Sequence, residues 1–331
     1  MDYVYHYTSA DGLKGILESK SLWATNAEYL NDFREIKEGI DTINSLRQDL
    51  PELTQTRFEE IYAEVRGIPL KDIKHKMQNA NIDKANKFLS SFWDALDKNE
   101  LSDIYTVSFT TERDSLNHWL TYGSEQTSYC IKFNKDKLHD NNYFIRHKFL
   151  SDYADVVYEP RKVMLNLLIE KYLPEVLDYS LDESSNINEL NRKLSKLVIE
   201  AFNDIAFEVA SIKNKAFMYE KEYRFTLYSP GFVVINDDPK VDYFDLIDSS
   251  DIDFIELENG VKEFFPLSYR TLKSGVIAPY RAIPFPKNSI EEIIVGPSEN
   301  KDLAVKGLRS LLSSLDYNVK VSSTETSFRR I

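Results

Sequence analysis

Residues 3–9 have the sequence YVYHYTS, a run of β-branched and aromatic residues that ends in Thr-Ser. This composition is typical of a strand, and a hydroxyl at its end can accept hydrogen bonds from the first N–H groups of a helix. Residues 10–19 have apolar side chains at helical spacing, and residues 21–25 return to strand composition. The sequence therefore predicts a β-α-β unit with His6 near the end of its first strand. Polar side chains follow this unit at Asn31, Asp32 and Glu35.

The composition is that of a soluble globular protein. Of the 331 residues, 42% are hydrophobic and 29% are charged, and a chain of this length can bury a substantial core. No apolar run approaches the roughly 18 residues of a membrane span, and no secretory signal segment is evident. We therefore expect a cytoplasmic bacterial protein that does not associate with a membrane.

Charge, cysteine content and missing motifs argue against several classes of protein. A net charge of −13 and a pI near 5.0 oppose general attraction to nucleic-acid phosphates. Cys130 is the single cysteine, so neither an intramolecular disulfide nor a cysteine-based metal cluster is expected, and its apolar surroundings favour a core role. The His-Glu-x-x-His motif, a glycine-rich phosphate loop and the Gly-x-Ser-x-Gly elbow are all missing. Metal hydrolases, P-loop enzymes and α/β-hydrolases are thereby disfavoured.

Two long blocks with helical periodicity interrupt segments of strand composition. The blocks cover about 33–100 and 160–216. Strands and helical blocks do not alternate regularly, which is typical of an α+β protein. No linker separates the segments, so we expect a single domain over 1–331 with two helical insertions.

Residues 215–225, KAFMYEKEYRF, combine charge and strand composition. If they form one strand, alternation places Glu220, Glu222 and Arg224 on the same face. One interpretation is the exposed polar face of an amphipathic strand. The other is a glutamate that a neighbouring arginine keeps ionised and oriented in a cleft.

Aromatic and histidine side chains give a weaker signal. Trp119 and Tyr122 precede Gly123, and aromatic rings beside a glycine can stack on a planar ligand, although core packing explains them equally well. The chain has five histidines, and a structural role is the alternative for each of them. Asn31 and Asp32 either cap the next helix or belong to a site.

Several motifs, in the same order along nearly the whole chain, resemble a bacterial family catalogued as domain of unknown function two thousand nine hundred and seventy-one. They are Tyr5-His6-Tyr7-Thr8, Asn31-Asp32 with Glu35, Ser108-Phe109, Trp119-Leu120-Thr121-Tyr122, Lys215 with Glu220-Lys221-Glu222-Tyr223-Arg224, Pro279-Tyr280 and Ile293-Ile294-Val295-Gly296-Pro297.

The opening strand and the late glutamate are similar to the ADP-ribosyltransferase arrangement. This resemblance implies a split β-sheet core, NAD as the substrate and no metal. It implies that His6 holds the nicotinamide-side ribose, that Tyr122 or Trp119 stacks the nicotinamide, and that Glu222, or its rival Glu220, bonds the ribose 2′-hydroxyl. Further substrate contacts are expected at Tyr7, Thr8, Asn31, Asp32, Ser108 and Arg224. We expect His6 and the glutamate to face one another across one cleft.

Two functional hypotheses follow from these expectations. The first is an NAD-using ADP-ribosyltransferase or NAD glycohydrolase-like bacterial effector or toxin, acting on a dinucleotide with a protein or nucleic-acid acceptor. The alternative is a non-catalytic nucleotide-sensing or protein-interaction module of a stress or phage-defence system, because the spaced tyrosine pair of the histidine-tyrosine-glutamate enzymes has no clear counterpart. A metal-dependent nuclease using Glu220, Glu222 and Asp32 is disfavoured by the acidic charge.

Overall fold

A computed structural model of the chain describes most of its residues. The described ranges are 2–30, 35–50, 54–76, 82–98, 104–122, 127–139, 150–158, 160–178, 187–228, 232–233, 241–242, 267–272 and 274–326. Asn31, Asp32 and Gly123 lie outside them, as does the side chain of Glu35.

The protein is α+β and is built on a mixed ten-stranded sheet. Its strands are β1 (Tyr3–Ser9), β2 (Ser21–Asn26), β3 (Ile104–Thr110), β4 (Ser128–Asn134), β5 (Leu150–Asp155), β6 (Glu222–Tyr228), β9 (Leu267–Thr271), β10 (Ile277–Pro284), β11 (Ile290–Val295) and β12 (Lys320–Ser323). Strands β7 (Phe232–Val233) and β8 (Val241–Asp242) pair separately. Only β11 and β12 pair in parallel among the described strands.

The helices are concentrated in the two predicted blocks. They are α1 (Ala10–Ser19), α2 (Glu35–Asp49), α3 (Gln55–Arg66), α4 (Leu70–Lys76), α5 (Ile82–Lys98), α6 (Leu116–Thr121), α7 (Lys135–His139), α8 (Pro160–Asn166), α9 (Leu173–Asp178), α10 (Ile187–Ser211) and α11 (Lys301–Ser314), with a π-helical turn at Leu167–Tyr172. Within the described ranges, no helix is both long enough and apolar enough to span a membrane.

The first β-α-β unit forms as its sequence predicts. The Ser9 side chain accepts a hydrogen bond from the Gly12 N–H, which caps α1 at its first turn. Apolar side chains of α1 pack against β1 and β2 because they recur on one face of the helix. Those side chains are Leu13, Ile16 and Leu17.

The sheet forks at β3. Along one edge β3 pairs with β6 over all seven residues, from Ile104 to Thr110. On the opposite edge it meets β1 only at Tyr5↔Thr110 and β2 only at Thr25↔Thr106 and Asn26↔Tyr105. Strands β1 and β2 therefore diverge from one another, and the middle of β3 has no described strand beside it on that edge.

Two large apolar clusters cover the sheet. One cluster joins the central strands to α1 and α11, with Val4, Phe133 and Leu308 among its members. The other lies within the helical blocks, where α10 packs on α5 and α2 and reaches β6 at Tyr228. The helical blocks thus enclose a core of their own while α10 closes one face of the sheet near the fork.

Candidate functional site

The end of α10 and the start of β6 bring together four charged side chains. Lys213 Nζ lies 2.7 Å from Glu220 Oε2 and 2.6 Å from Glu222 Oε2. Arg224 Nε and Nη2 each lie 2.8 Å from Glu222 Oε1. Glu220 and Glu222 are 4% and 5% exposed, so two cations balance two anions inside the protein. We call this group the Lys213 network.

The interpretation of Glu220, Glu222 and Arg224 as an exposed polar strand face is wrong. Arg224 is only 2% exposed, and its Nη1 also donates to the main-chain oxygen of Ala210 on α10. Placing Glu220 on the strand is wrong as well. Residues Lys215–Glu220 form a 3-10 helix, and Lys221 adopts the left-handed region with φ of 42° before β6 starts.

The turn at Lys221 explains why both carboxylates still meet. Lys221 in the left-handed region ends the 3-10 helix, and the Glu220 and Glu222 side chains on either side of it both reach Lys213. Thr110 Oγ1 fixes this geometry by donating to the Glu220 main-chain oxygen at 2.7 Å. Strand alternation therefore applies only from Glu222 onward.

The ion pairs decide the protonation of Glu222. Burial alone would raise the pKa of this carboxyl, but the positive charges of Arg224 and Lys213 outweigh burial and lower the pKa to about 2. A hydrogen bond from the Ser108 side chain lowers it further. Glu222 is therefore an anion at any physiological pH.

An aromatic cluster borders the Lys213 network. Tyr122 donates to Glu220 Oε1 at 2.9 Å, and the His118 ring lies 5.8 Å from the Tyr122 ring. Tyr7 stacks on His118 at 4.9 Å and meets Trp119 edge-on at 4.6 Å. The phenol ring of Tyr122 thus carries the hydroxyl that joins the aromatic cluster to the carboxylates.

Tyr7 and Trp119 are held in place by the protein itself. Tyr7 donates to the Glu112 main-chain oxygen at 2.9 Å and accepts from the Ser115 N–H at 3.0 Å. Trp119 donates from Nε1 to Asp114 at 2.7 Å and is 2% exposed. Tyr122 is half-buried, so of the two rings expected to stack a ligand it has the more accessible surface.

His6 lies at the fork. Its Nδ1 is 3.0 Å from the main-chain oxygen of Ser108, and because a carbonyl only accepts, Nδ1 carries the proton. Burial lowers the pKa of His6, and repulsion from Arg270 lowers it further, so the ring is neutral with an acceptor at Nε2. Phe109 contacts its ring edge-on at 5.8 Å.

The structure does not bring His6 into direct contact with Glu222. Residues opposite one another in antiparallel strands share a face, so the pairs Tyr5↔Thr110 and Thr110↔Glu222 put Tyr5 and Glu222 on one face. His6, next to Tyr5, starts from the other face. The link between them is Ser108, whose main chain bonds His6 and whose side chain bonds Glu222.

Thr8 also lies away from the carboxylates. A Cβ atom on Gly12 would come within 2.1 Å of Thr8 Oγ1, so the hydroxyl lies against the first turn of α1. Of the expected site residues, Asn31 and Asp32 are outside the described ranges. Those that the structure joins to the network by direct contact are Ser108, Tyr122, Glu220, Glu222 and Arg224.

Sequence analysis missed three residues that shape this region. Lys213 holds both carboxylates, His118 lies between Tyr7 and Tyr122, and Arg270 acts on His6. Lys213 carries a weak signal, because it directly follows the apolar stripe of a long helix. Arg270 carries none, because its position depends on the distant pairing of β9 with β10.

Residues 118–225 match a family described as "Protein of unknown function (DUF2971)". The match covers about one third of the chain and includes the whole Lys213 network, whereas His6 and Arg270 lie outside it. No curated protein and no solved structure matches the chain. Within the described ranges, no group of three or more His, Cys, Asp or Glu side chains is arranged to hold a metal ion.

Proposed function

We propose that the protein is an NAD-using bacterial effector that cleaves the bond between nicotinamide and ribose, either transferring ADP-ribose or hydrolysing NAD. The observation that carries this proposal is the Glu222 carboxylate, which Lys213 and Arg224 hold at the start of β6 beside the fork of the sheet. An ADP-ribosyltransferase-like core requires a split sheet, and we take the fork at β3 as that split.

The proposed step needs only electrostatics and orientation. The bond from ribose C1′ to the nicotinamide nitrogen breaks, its electron pair leaves with nicotinamide, and an oxocarbenium-like centre remains at C1′. Water or an acceptor nucleophile then bonds to C1′ and releases a proton. A fixed carboxylate stabilises such a developing cation, and a hydrogen bond to the ribose 2′-hydroxyl orients it.

The neighbouring residues suit these roles. Arg224, Lys213 and Ser108 fix Glu222, so little reorganisation is needed as charge develops. Tyr122 offers an aromatic surface beside Glu220 for a planar ring. His6 acts on this site only through Ser108, whose main chain bonds the imidazole and whose side chain bonds Glu222.

The test is nicotinamide release from NAD by the purified protein. We expect Glu222→Gln to slow release by about 100-fold or more, because removing one electrostatic group from such a site has an effect of this order. Glu299→Gln, at an exposed glutamate outside the network, is the matched control and should release nicotinamide like wild type. Release by Glu222→Gln at the wild-type rate, with folding intact, would overturn the proposal.

One observation favours the alternative of nucleotide binding without turnover. Lys213 and Arg224 already engage both oxygens of Glu222, and the residues Glu220 and Glu222 are 4% and 5% exposed. A binding module predicts that NAD raises the thermal unfolding midpoint while no nicotinamide is released. Thermal shift and nicotinamide release, measured on the same preparation, therefore separate the two functions.

A further inference from the structure

Arg270 on β9 is a cation without a described counter-ion. It is half-buried, its Nε is buried with no hydrogen-bond acceptor, and burial lowers the pKa of its guanidinium. No carboxylate within the described residues forms an ion pair with it. A buried charge without an opposite charge is unfavourable, and a bound anion would remove this penalty.

The surroundings of Arg270 hold its guanidinium in place. Nη2 donates to Thr25 Oγ1 at 2.6 Å, and the Trp23 ring lies 5.8 Å from the guanidinium carbon. Trp23 is itself fixed, because its ring contacts Tyr280 at 5.2 Å and leaves no room for a Cβ atom on Gly15. Trp23 and Thr25 thus support the guanidinium.

Strand register puts Arg270 on the same face of the sheet as Glu222. Arg270 opposes Ala278, two residues before Tyr280, which opposes Thr25. Thr25 in turn opposes Thr106 on β3. Thr106 lies four residues before Thr110, the residue of β3 that opposes Glu222. At about 3.3 Å per residue, Thr106 and Thr110 are ~13 Å apart along β3, and Arg270 reaches the Thr106 end through its bond to Thr25. Strands β2 and β6 lie on opposite sides of β3, which adds two strand spacings of about 4.8 Å between Thr25 and Glu222.

We propose that Arg270 and Thr25 form an anion subsite for a phosphate group of the ligand. The guanidinium would bind phosphate oxygens through its Nη atoms, because charge-assisted hydrogen bonds of this kind suit phosphate. Thr25 orients the guanidinium and can turn its hydroxyl toward the anion. The identification of the anion as the diphosphate of NAD rests on the proposed function, whereas the subsite itself does not.

Binding of inorganic pyrophosphate, measured by titration calorimetry, tests the subsite. We expect wild type to bind pyrophosphate. The affinity of Arg270→Gln should be lower by at least about tenfold, because a charge-assisted bond to phosphate is lost. Arg270→Lys should bind with intermediate affinity, because lysine keeps the charge without the planar fork. Arg309→Gln is the matched control, because it removes the same charge from an exposed position on α11, which packs at the opposite end of the sheet from β9. It should bind pyrophosphate like wild type.

Stability without ligand separates a binding role from a structural one. If Arg270 is an uncompensated cation, Arg270→Gln should unfold at the wild-type temperature or above. A lower unfolding midpoint for ligand-free Arg270→Gln, pyrophosphate binding equal to wild type in that variant, or no binding by wild type would each overturn the proposal. Nicotinamide release by the Glu222 variants is a separate readout, so the subsite and the cleavage can fail independently.

Discussion

Replacing Lys213 by methionine removes the cation that both buried carboxylates share. Methionine keeps most of the side-chain volume, so the loss is mainly electrostatic. Breaking a buried ion pair by removing one partner typically destabilises a protein by about 3–5 kcal/mol. The pKa of Glu222, about 2 against an ordinary 4.5, gives a similar size for the net effect of burial, which raises it, and of Arg224 and Lys213, which lower it. At ~1.4 kcal/mol per pKa unit this is about 3 kcal/mol. We therefore expect Lys213→Met to lose about 3 kcal/mol at pH 7.

The pH dependence of this loss has a definite sign. Because the pKa of Glu222 in the folded protein lies below its ordinary value of 4.5, its stabilisation is complete above about pH 5 and is lost as pH falls toward 2. Without Lys213 the pKa of Glu222 rises toward or above the ordinary range. The variant therefore loses less stability than wild type on acidification, and the difference between the two proteins shrinks.

Urea unfolding followed by circular dichroism at pH 7 and near pH 4 measures both quantities. Lys306→Met, at an exposed lysine on α11, is the matched control and should change the free energy of unfolding by less than about 0.5 kcal/mol. A Lys213→Met loss below about 1 kcal/mol at pH 7, or a loss that stays constant with pH, would refute the description of a coupled buried network.

Three further outcomes follow from the described contacts. Gly296→Ala places a Cβ atom within 2.8 Å of the Trp119 ring, so it should destabilise the fold by about 1–3 kcal/mol and shift the tryptophan fluorescence. Tyr122→Phe removes the donor to the buried Glu220 carboxylate and should lower the free energy of unfolding by about 1.5–3 kcal/mol in chemical denaturation. His6 has a lowered pKa in the folded protein, so it reduces stability as pH falls below 6.5, and His6→Asn should lose less stability than wild type between pH 7 and pH 5. Unchanged fluorescence and stability in Gly296→Ala would contradict the first expectation. An unchanged free energy of unfolding in Tyr122→Phe would contradict the second, and a stability of His6→Asn that falls with pH as in wild type would contradict the third.

Local signals made the first β-α-β unit predictable. The change from strand composition to helical spacing at Ser9 is encoded in adjacent residues, and the capping hydroxyl marks the boundary. The start of β6 was only partly predictable. Composition indicated a strand at Glu222, but the 3-10 helix through Glu220 depends on a left-handed residue that is not glycine, which sequence patterns rarely indicate.

The parts of the site that sequence analysis missed depend on long-range pairing. Lys213 meets Glu222 because α10 ends beside β6, and Arg270 meets Thr25 because β10 joins β9 to β2. The separation of His6 from Glu222 has the same origin. It follows from the register in which β1, β3 and β6 pair. A shift of one residue in this register would move every side chain of the shifted strand to the opposite face of the sheet.

A crystal structure of the Glu222→Gln variant with NAD tests the central claim most directly, because this variant should bind the dinucleotide without cleaving it. We predict the nicotinamide-side ribose within about 3 Å of the residue 222 side chain, with a phosphate of the same molecule on Arg270. A dinucleotide bound elsewhere, or residue 222 still enclosed by Lys213 and Arg224 with no ligand atom beside it, would contradict the account.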